Sequence, residues 1–131
     1  MERCMNYQEI KHPSVRETLR FLKFENGLEI THVGDLPARS GTGSSSSFTV
    51  GLLHALYALK GEKPNKRQLS MESIHIEQNM IKETVGSQDQ VNAAYGGLNV
   101  IQFEDNGEII VNPVTLPHGR IKTLEDNIML F

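Results

Sequence analysis

The sequence predicts a mixed fold of α-helices and β-strands, and three observations carry this prediction. Apolar residues recur at the spacing of one helical face in two long stretches, the first of which follows a run of glycines and serines. Residues 28–33 alternate between apolar and polar side chains, as a half-buried strand does. Two more strand-like runs, 98–103 and 108–114, flank Asp105-Asn106-Gly107, a sequence that favours a hairpin turn.

The predicted elements begin after a polar, unpatterned stretch, residues 1–12. Pro13 opens the first helix, whose apolar face carries Val15, Leu19 and Leu22 and which ends near Phe24. The strand over 28–33 follows. The later elements are a helix after the glycine-serine run that Gly61 and Pro64 stop, a helix over 66–82, a short helix over Gln88–Tyr95, the hairpin strands and a last strand over 127–131.

Length, charge and cysteine content bound the class of protein. With 131 residues the chain is long enough for one domain with a buried core, and no repeat or composition shift marks a boundary. A net charge of −3 and a pI near 5.9 argue against a nucleic-acid-binding module. Cys4 has no second cysteine to pair with, which fits a reducing compartment. Since we find neither a signal peptide nor a run of ~20 apolar residues, we expect a soluble, cytoplasmic domain without a membrane partner.

The glycine-serine run is the strongest candidate for a binding site. Ser40-Gly41-Thr42-Gly43 leads into four serines, 44–47, and then into the helix. Two glycines allow a sharp turn and a close approach to a ligand, and the serines lie where a helix cap belongs. The amides of the first turn and the helix dipole then form a site for an anion, most naturally a phosphate. From the spacing alone, an ordinary turn or linker remains open.

Three motifs, in order along the chain, resemble a known kinase superfamily. Residues 37–46, Pro-Ala-Arg-Ser-Gly-Thr-Gly-Ser-Ser-Ser, resemble the phosphate-binding loop of the GHMP kinases. His75-Ile76-Glu77, Val-Gly-Ser-Gln-Asp-Gln at 85–90 and Ala-Ala-Tyr-Gly-Gly-Leu-Asn at 93–99 resemble the branch of heptose 7-phosphate kinases and fucose kinases. The loop is not a Walker A motif, because Ser44-Ser45 stands where that motif has Lys-Ser/Thr.

This resemblance implies a fold and an activity. The fold would be α+β, of the ribosomal protein S5 domain 2-like type, with helices packed on one face of a mixed sheet. The activity would be that of an enzyme, a sugar kinase that transfers the γ-phosphate of ATP to a sugar or sugar-phosphate hydroxyl, with the anomeric hydroxyl of a heptose 7-phosphate as the expected acceptor. A non-catalytic nucleotide-binding or assembly module is the alternative.

The resemblance also bears on domain organisation and partners. The first strand motif of the family and the glycine-rich motif of its C-terminal domain are not found in residues 1–131, so we expect a partial N-terminal, ATP-binding domain. Its expected partners are ATP, Mg²⁺ and the sugar substrate, with no nucleic acid, and a homodimer is left open.

Asp89 is the candidate catalytic residue. A carboxylate that accepts or orients the proton of the attacking hydroxyl favours phosphoryl transfer, and Asp89 lies at the break between two predicted helices. By position alone, an aspartate after a loop is more often a helix cap. The resemblance favours the catalytic role, because the matching aspartate in GHMP sugar kinases is the proposed base.

Glu77 is the candidate metal ligand. It borders the apolar stripe of its predicted helix, where a carboxylate needs a partner, either a cation or an arginine. Mg²⁺ prefers oxygen ligands and keeps several waters, so few protein groups suffice. The alternative is a solvated glutamate paired along the helix. The resemblance implies that Glu77 holds magnesium together with a loop serine, which we expect to be Ser45, with Ser44 as the next choice.

The remaining site residues are expected from the resemblance as well. Gln88, Asp89 and Tyr95 are the candidates for the sugar site, although an aromatic residue at helical spacing is more often part of the core. Gln88 and Gln90 flank Asp89 and either orient it or bond sugar hydroxyls. The expected nucleotide-binding residues are Pro37, Ser40, Gly41, Thr42, Gly43, Ser44, Ser45 and Ser46.

Overall fold

The computed structural model describes residues 2–35 and 41–129. The chain divides into two compact units, Met1–Tyr95 and Gly96–Phe131. No change in composition or run of linker residues marks this division, which is why the sequence indicates a single domain. All the candidate site residues that the structure describes lie in the first unit.

The first unit is helical throughout its regular structure. Pro13 begins α1 at the predicted position, and Asn65 caps α3 by accepting a hydrogen bond from the amide of Gln68 at 2.8 Å. A short 3₁₀-helix, Tyr7–Glu9, precedes α1. The helices are α1 (Pro13–Phe21), α2 (Ser44–Leu59), α3 (Lys66–His75), a π-helix (Ile76–Ile81) that continues directly from α3, and α4 (Gln88–Tyr95).

The core of this unit forms around α2. Leu53 is fully buried and Leu56 is 2% exposed, so one face of α2 is removed from water along most of its length. Its neighbours come from α1, from α3 and from the start of the π-helix, where Ile76 is fully buried. This packing fixes α2 as the rigid element that carries the glycine-serine run. The hydrophobic core of this unit consists of Leu19, Leu22, Leu52, Leu53, Leu56, Tyr57, Leu69 and Ile76.

Two predicted elements of this unit are corrected by the structure. Residues 28–33 are irregular and exposed rather than a strand, because a strand needs the hydrogen bonds of a neighbour and the described residues provide none for this segment. The single helix predicted over 66–82 is α3 followed by the π-helix, which ends at Lys82 with a left-handed φ of 64°. The spacing of apolar residues does not show where a helix changes to the wider turns of a π-helix, which is why the sequence predicts one continuous helix.

The second unit contains a hairpin and a helix. Strands β1 (Asn99–Phe103) and β2 (Ile109–Pro113) pair antiparallel, with Ile101 opposite Val111, and Gly107 takes a φ of 83° in the turn. The hairpin was predicted, whereas α5 (His118–Glu125) was not, because its residues are mostly exposed and show no apolar face. Residues 127–129 form a turn and irregular chain instead of the predicted strand, and residues 130–131 lie outside the described part.

In the described residues the hairpin lies, along the chain, between the helices of the first unit and α5, so strands and helices do not alternate, as expected for the α+β class. Within the described residues the sheet is this one antiparallel pair, not the mixed sheet that was expected. Among the described helices, none is both long enough and apolar enough to cross a membrane.

Candidate functional site

The start of α2 is a glycine corner, by which we mean Gly41 and Gly43 together. Their φ angles are 73° and 70°, in the left-handed region that glycine enters without a steric penalty. Gly43 is the N-cap of α2, and its carbonyl accepts the amide of Ser47 at 2.9 Å. The first amides of a helix have no acceptor within the helix, and the helix dipole adds positive potential at this end. The corner therefore suits an anion such as a phosphate.

Asp89 lies directly against this corner. A Cβ atom built on Gly43 would lie 3.2 Å from Asp89 Cγ and 3.4 Å from Asp89 Oδ2. Glycine is therefore favoured at position 43 for two reasons, the left-handed backbone angle and the nearby carboxyl group of Asp89. Asp89 is exposed and belongs to the first turn of α4, where a negative charge is favoured. The structure thus places a solvent-accessible carboxylate beside the start of α2.

A second carboxylate is buried behind the corner. Glu77 is 1% exposed, and its Oε2 atom accepts a hydrogen bond from the Ser46 hydroxyl at 2.8 Å and another from the Gln90 side-chain amide. Its Oε1 atom is buried and has no hydrogen-bond partner among the described residues. A buried carboxylate oxygen without a partner is unfavourable, and a cation or water that reaches it would remove the penalty. We call Ser46, Glu77 and Gln90 the buried cluster of the site.

The π-helix brings the buried cluster and the loop before α4 together. Glu77 is its second residue, and the next residue, Gln78, donates its side-chain amide to the Val85 carbonyl at 3.0 Å and to the Ser87 hydroxyl at 3.2 Å. Two consecutive side chains therefore hold α4 and the segment that leads into it. Single-turn π-segments are often found at functional sites, because they direct side chains that a regular helix would turn away.

The serines at the start of α2 differ in their surroundings. Ser46 is buried against Glu77, whereas Ser45 is exposed and Ser44 is half-buried. The serine hydroxyl that contacts the candidate metal ligand belongs to Ser46. Ser44 and Ser45 instead border a cavity of about 1170 Å³, which the rings of Phe48 and His12 also line.

The other predicted site residues fall into four groups. Gln88 is exposed in the first turn of α4, beside Asp89. Tyr95 is half-buried at the other end of α4, six residues and about 9 Å of helical rise from Asp89, so the structure separates these two candidates for the sugar site. Thr42 is exposed in the corner. Pro37 and Ser40 lie outside the described residues, as does Arg39.

Two contacts of the site were not predicted from the sequence. Gln90 was considered as a neighbour of Asp89, but its bond to Glu77 links residues that are 13 apart in the chain. Gln78 was not considered at all. One signal was available for Gln90: it precedes Val91 on the face of α4 that packs into the core, where an amide needs a polar partner.

The described residues bring two carboxylates, those of Asp89 and Glu77, to the N-terminus of the buried helix α2. The chain belongs to the GHMP kinases: the model of the GHMP kinases N terminal domain matches residues 10–97, which is more than half of the chain. This confirms the predicted family and the α+β fold. The match ends two residues beyond the first compact unit.

Two relatives are similar to this chain. A D-glycero-alpha-D-manno-heptose 7-phosphate kinase of Campylobacter jejuni is 30% identical over 97 residues, which are 74% of this chain and 29% of the relative. The crystal structure of a D-glycero-D-manno-heptose 1-phosphate kinase from Bacteriodes thetaiotaomicron matches with a TM-score of 0.72 and 29% identity, covering 86% of this chain and 37% of that one. The chain therefore spans only about a third of the length of these relatives.

Proposed function

We propose that this chain is the ATP-binding part of a sugar kinase that phosphorylates a hydroxyl group of a heptose phosphate, with the anomeric hydroxyl of heptose 7-phosphate as the acceptor. The observation that carries the proposal is the contact of Asp89 with Gly43, because it puts a carboxylate at the place where a helix N-terminus receives phosphate. Membership of the GHMP kinases and the similarity to two heptose phosphate kinases support it.

The glycine corner and the first turn of α2 bind the phosphates of ATP in this proposal. The amides of Ser44, Ser45 and Ser46 lie in the first turn and point toward the end of the helix, and no lysine of the Walker type is needed. Thr42 takes part in this binding, and the resemblance implies the same role for Pro37 and Ser40. Binding through amides orients the chain of phosphates without adding a counter-charge, so the charge must be neutralised by another group.

Magnesium fits the buried cluster. Glu77 Oε1 is a buried carboxylate oxygen without a hydrogen-bond partner among the described residues, and the hydroxyl bonded to the other oxygen of Glu77 belongs to Ser46. Mg²⁺ binds oxygen ligands and completes its shell with waters and phosphate oxygens, so a single carboxylate is enough. Glu77 would hold the ion with the hydroxyl of Ser46 or of Ser45. When bound, the ion neutralises negative charge on the terminal phosphates.

Asp89 accepts the proton in the transfer step. The sugar hydroxyl loses its proton to the Asp89 carboxylate as its oxygen forms a bond to the γ-phosphorus, and the bond from that phosphorus to the bridging oxygen breaks to release ADP. The exposure of Asp89 at the start of α4 lets a substrate reach it, and Gln88 lies beside it to bond a second hydroxyl. Tyr95, at the far end of α4, would contact only a more distant part of the sugar.

Phosphoryl transfer to heptose 7-phosphate tests the proposal. We expect the full chain with Mg²⁺ and ATP to give a new sugar phosphate, observed by ³¹P NMR, and Asp89→Asn to lower the rate by about 10²–10⁴-fold. Asp105→Asn, an exposed aspartate of the second unit, is the matched control and should leave the rate unchanged. Tight ATP binding without any transfer would instead favour a non-catalytic nucleotide-binding module.

Cytoplasmic location and a homodimer are secondary parts of the proposal. ATP and sugar phosphates are substrates of the cytoplasm, and one unpaired cysteine fits its reducing conditions. Light scattering of the purified chain, with and without ATP, gives the oligomeric state directly.

A further inference from the structure

Gln90 has surroundings that a purely structural side chain would not need. It is fully buried on α4, and its amide nitrogen donates to Glu77 Oε2. Its own carbonyl oxygen, Gln90 Oε1, is buried and lacks a hydrogen-bond partner among the described residues, as does Glu77 Oε1. A pair that served packing alone would be expected to satisfy both oxygens, since each unpaired one costs stability.

We propose that Gln90 is a positioning residue for the cation site: its amide holds Glu77 Oε2, which directs Glu77 Oε1 to the ion, and ties that carboxylate to the helix that carries Asp89. This inference rests on the proposed function and extends it to a residue that makes no contact with substrate. It explains how the position of the ion ligand Glu77 is fixed relative to that of Asp89.

The first half of the inference rests on the different hydrogen bonding of the two carboxylate oxygens of Glu77. Oε2 has two donors, the Ser46 hydroxyl from α2 and the Gln90 amide from α4, so the carboxylate is fixed from two sides. Oε1 has none among the described residues. Partners that fix a ligand in this way typically change metal affinity by 10–100-fold when they are removed.

The position of Gln90 on α4 carries the second half. Gln90 and Asp89 are neighbours in sequence, and successive side chains of a helix point about 100° apart. With Gln90 bonded to Glu77 in the interior, the rotation of α4 about its axis is fixed, and Asp89 is directed to Gly43. The hydrogen bond from Gln90 thus acts on both carboxylates: together with Ser46 it fixes that of Glu77, and it ties Glu77 to the helix that carries Asp89.

The test measures how strongly Mg²⁺ enhances ATP binding. Calorimetry gives the Kd of ATP with EDTA and the Kd with Mg²⁺. The Kd with EDTA divided by the Kd with Mg²⁺ reports the coupling between ion and nucleotide. We expect a ratio well above one in the unaltered chain and a ratio about tenfold lower in Gln90→Met, which keeps the volume but loses the donor. If Gln90→Met folds poorly, Gln90→Asn takes its place. Its side chain is one methylene shorter, so its amide does not reach Glu77 as well, and it should also lower the ratio.

Gln68→Met is the matched control. Gln68 also donates its side-chain amide to a glutamate, Glu72, but at the far end of α2 from the glycine corner, near Tyr57. We expect this variant to lose thermal stability and to keep the ratio. If Gln90→Met raises both Kd values by the same factor, the ratio is unchanged. Gln90 is then structural and the inference is wrong, while the proposed function stands. A ratio of one in the unaltered chain would also refute it, whereas a chain that binds no ATP would refute the proposed function itself.

Discussion

The substitution Gly43→Ala tests two features of position 43, the left-handed backbone angle and the contact with Asp89. Alanine at a φ of 70° costs about 1–2 kcal/mol, because its Cβ crowds the carbonyl oxygen in the left-handed region. The new methyl group would also lie 3.2 Å from Asp89 Cγ, so the carboxyl group must move by a few tenths of an ångström. Asp89 is exposed and has room to move, so this contact adds about 1 kcal/mol or less.

Gly41→Ala is the control that isolates the contact. Its φ is 73°, almost the same as that of Gly43, but a Cβ there meets nothing within 4 Å. Urea denaturation followed by circular dichroism should therefore give a loss of about 1–2 kcal/mol for Gly41→Ala and up to about 1 kcal/mol more for Gly43→Ala. Adding Asp89→Ala should remove the excess, since the atom at 3.2 Å is then absent.

The displaced carboxylate has a larger effect on catalysis than on stability. A shift of 1 Å in a reacting group can lower a rate about 10²-fold, so we expect Gly43→Ala to lower kcat about tenfold in the heptose 7-phosphate assay. Equal stability losses for the two glycine variants would show that Asp89 does not press on Gly43. An unchanged kcat in Gly43→Ala would show that the contact does not position the carboxylate, and the reasoning about the site would fail.

Three further predictions concern the carboxylate, the loop and a distant tyrosine. Glu77→Gln should abolish the enhancement of ATP binding by Mg²⁺ and leave binding in EDTA nearly unchanged, as measured by calorimetry; an unchanged enhancement would place the ion elsewhere. Gln78→Ala removes the bond to the Val85 carbonyl, so amide hydrogen exchange of the segment before α4 should rise about five- to tenfold, corresponding to about 1 kcal/mol; unchanged exchange would show that other contacts hold the loop. Burial, helped by the hydrogen bond to Glu72, raises the pKa of Tyr57 to about 12 from 10.0, so its neutral form stabilises the fold below pH 10 and this contribution is lost as pH rises to about 12. Phenolate absorbance should show one tyrosine titrating near pH 12 that Tyr57→Phe removes, and a titration near pH 10 would contradict the packing.

The sequence predicts the parts of the fold that local chemistry determines. Pro13 begins α1, Asp105-Asn106-Gly107 forms the hairpin turn, and α4 has the predicted bounds, Gln88–Tyr95, because turn and cap residues act over a few positions. Residues 28–33 show the limit of this approach. Their alternation is that of a strand, but strand formation depends on a neighbour that the pattern does not reveal.

For the site, sequence resemblance proposes residues but does not predict their contacts. Asp89 of α4 and Glu77 of the π-helix are both proposed from the resemblance, and both contact the start of α2. The hydrogen bond from Ser46 to Glu77 could not be predicted, because one position along a helix turns a side chain by about 100° and a motif does not fix that rotation. The bond from Gln90 depends on the packing of α4 against the π-helix, which no local pattern encodes.

The π-helix places a constraint on how the length of this chain can vary. Removing one residue after Glu77 would let α3 continue as a regular helix with better backbone hydrogen bonds, but it would shorten the 13-residue path to Gln90 and draw Gln78 away from the loop it holds. Point substitutions along Ile76–Ile81 leave the residue count intact, whereas any single deletion changes it. Between Glu77 and Gln90 the number of residues therefore constrains the structure more than their identity does, and we expect a deletion scan to find this segment intolerant even where its side chains face solvent.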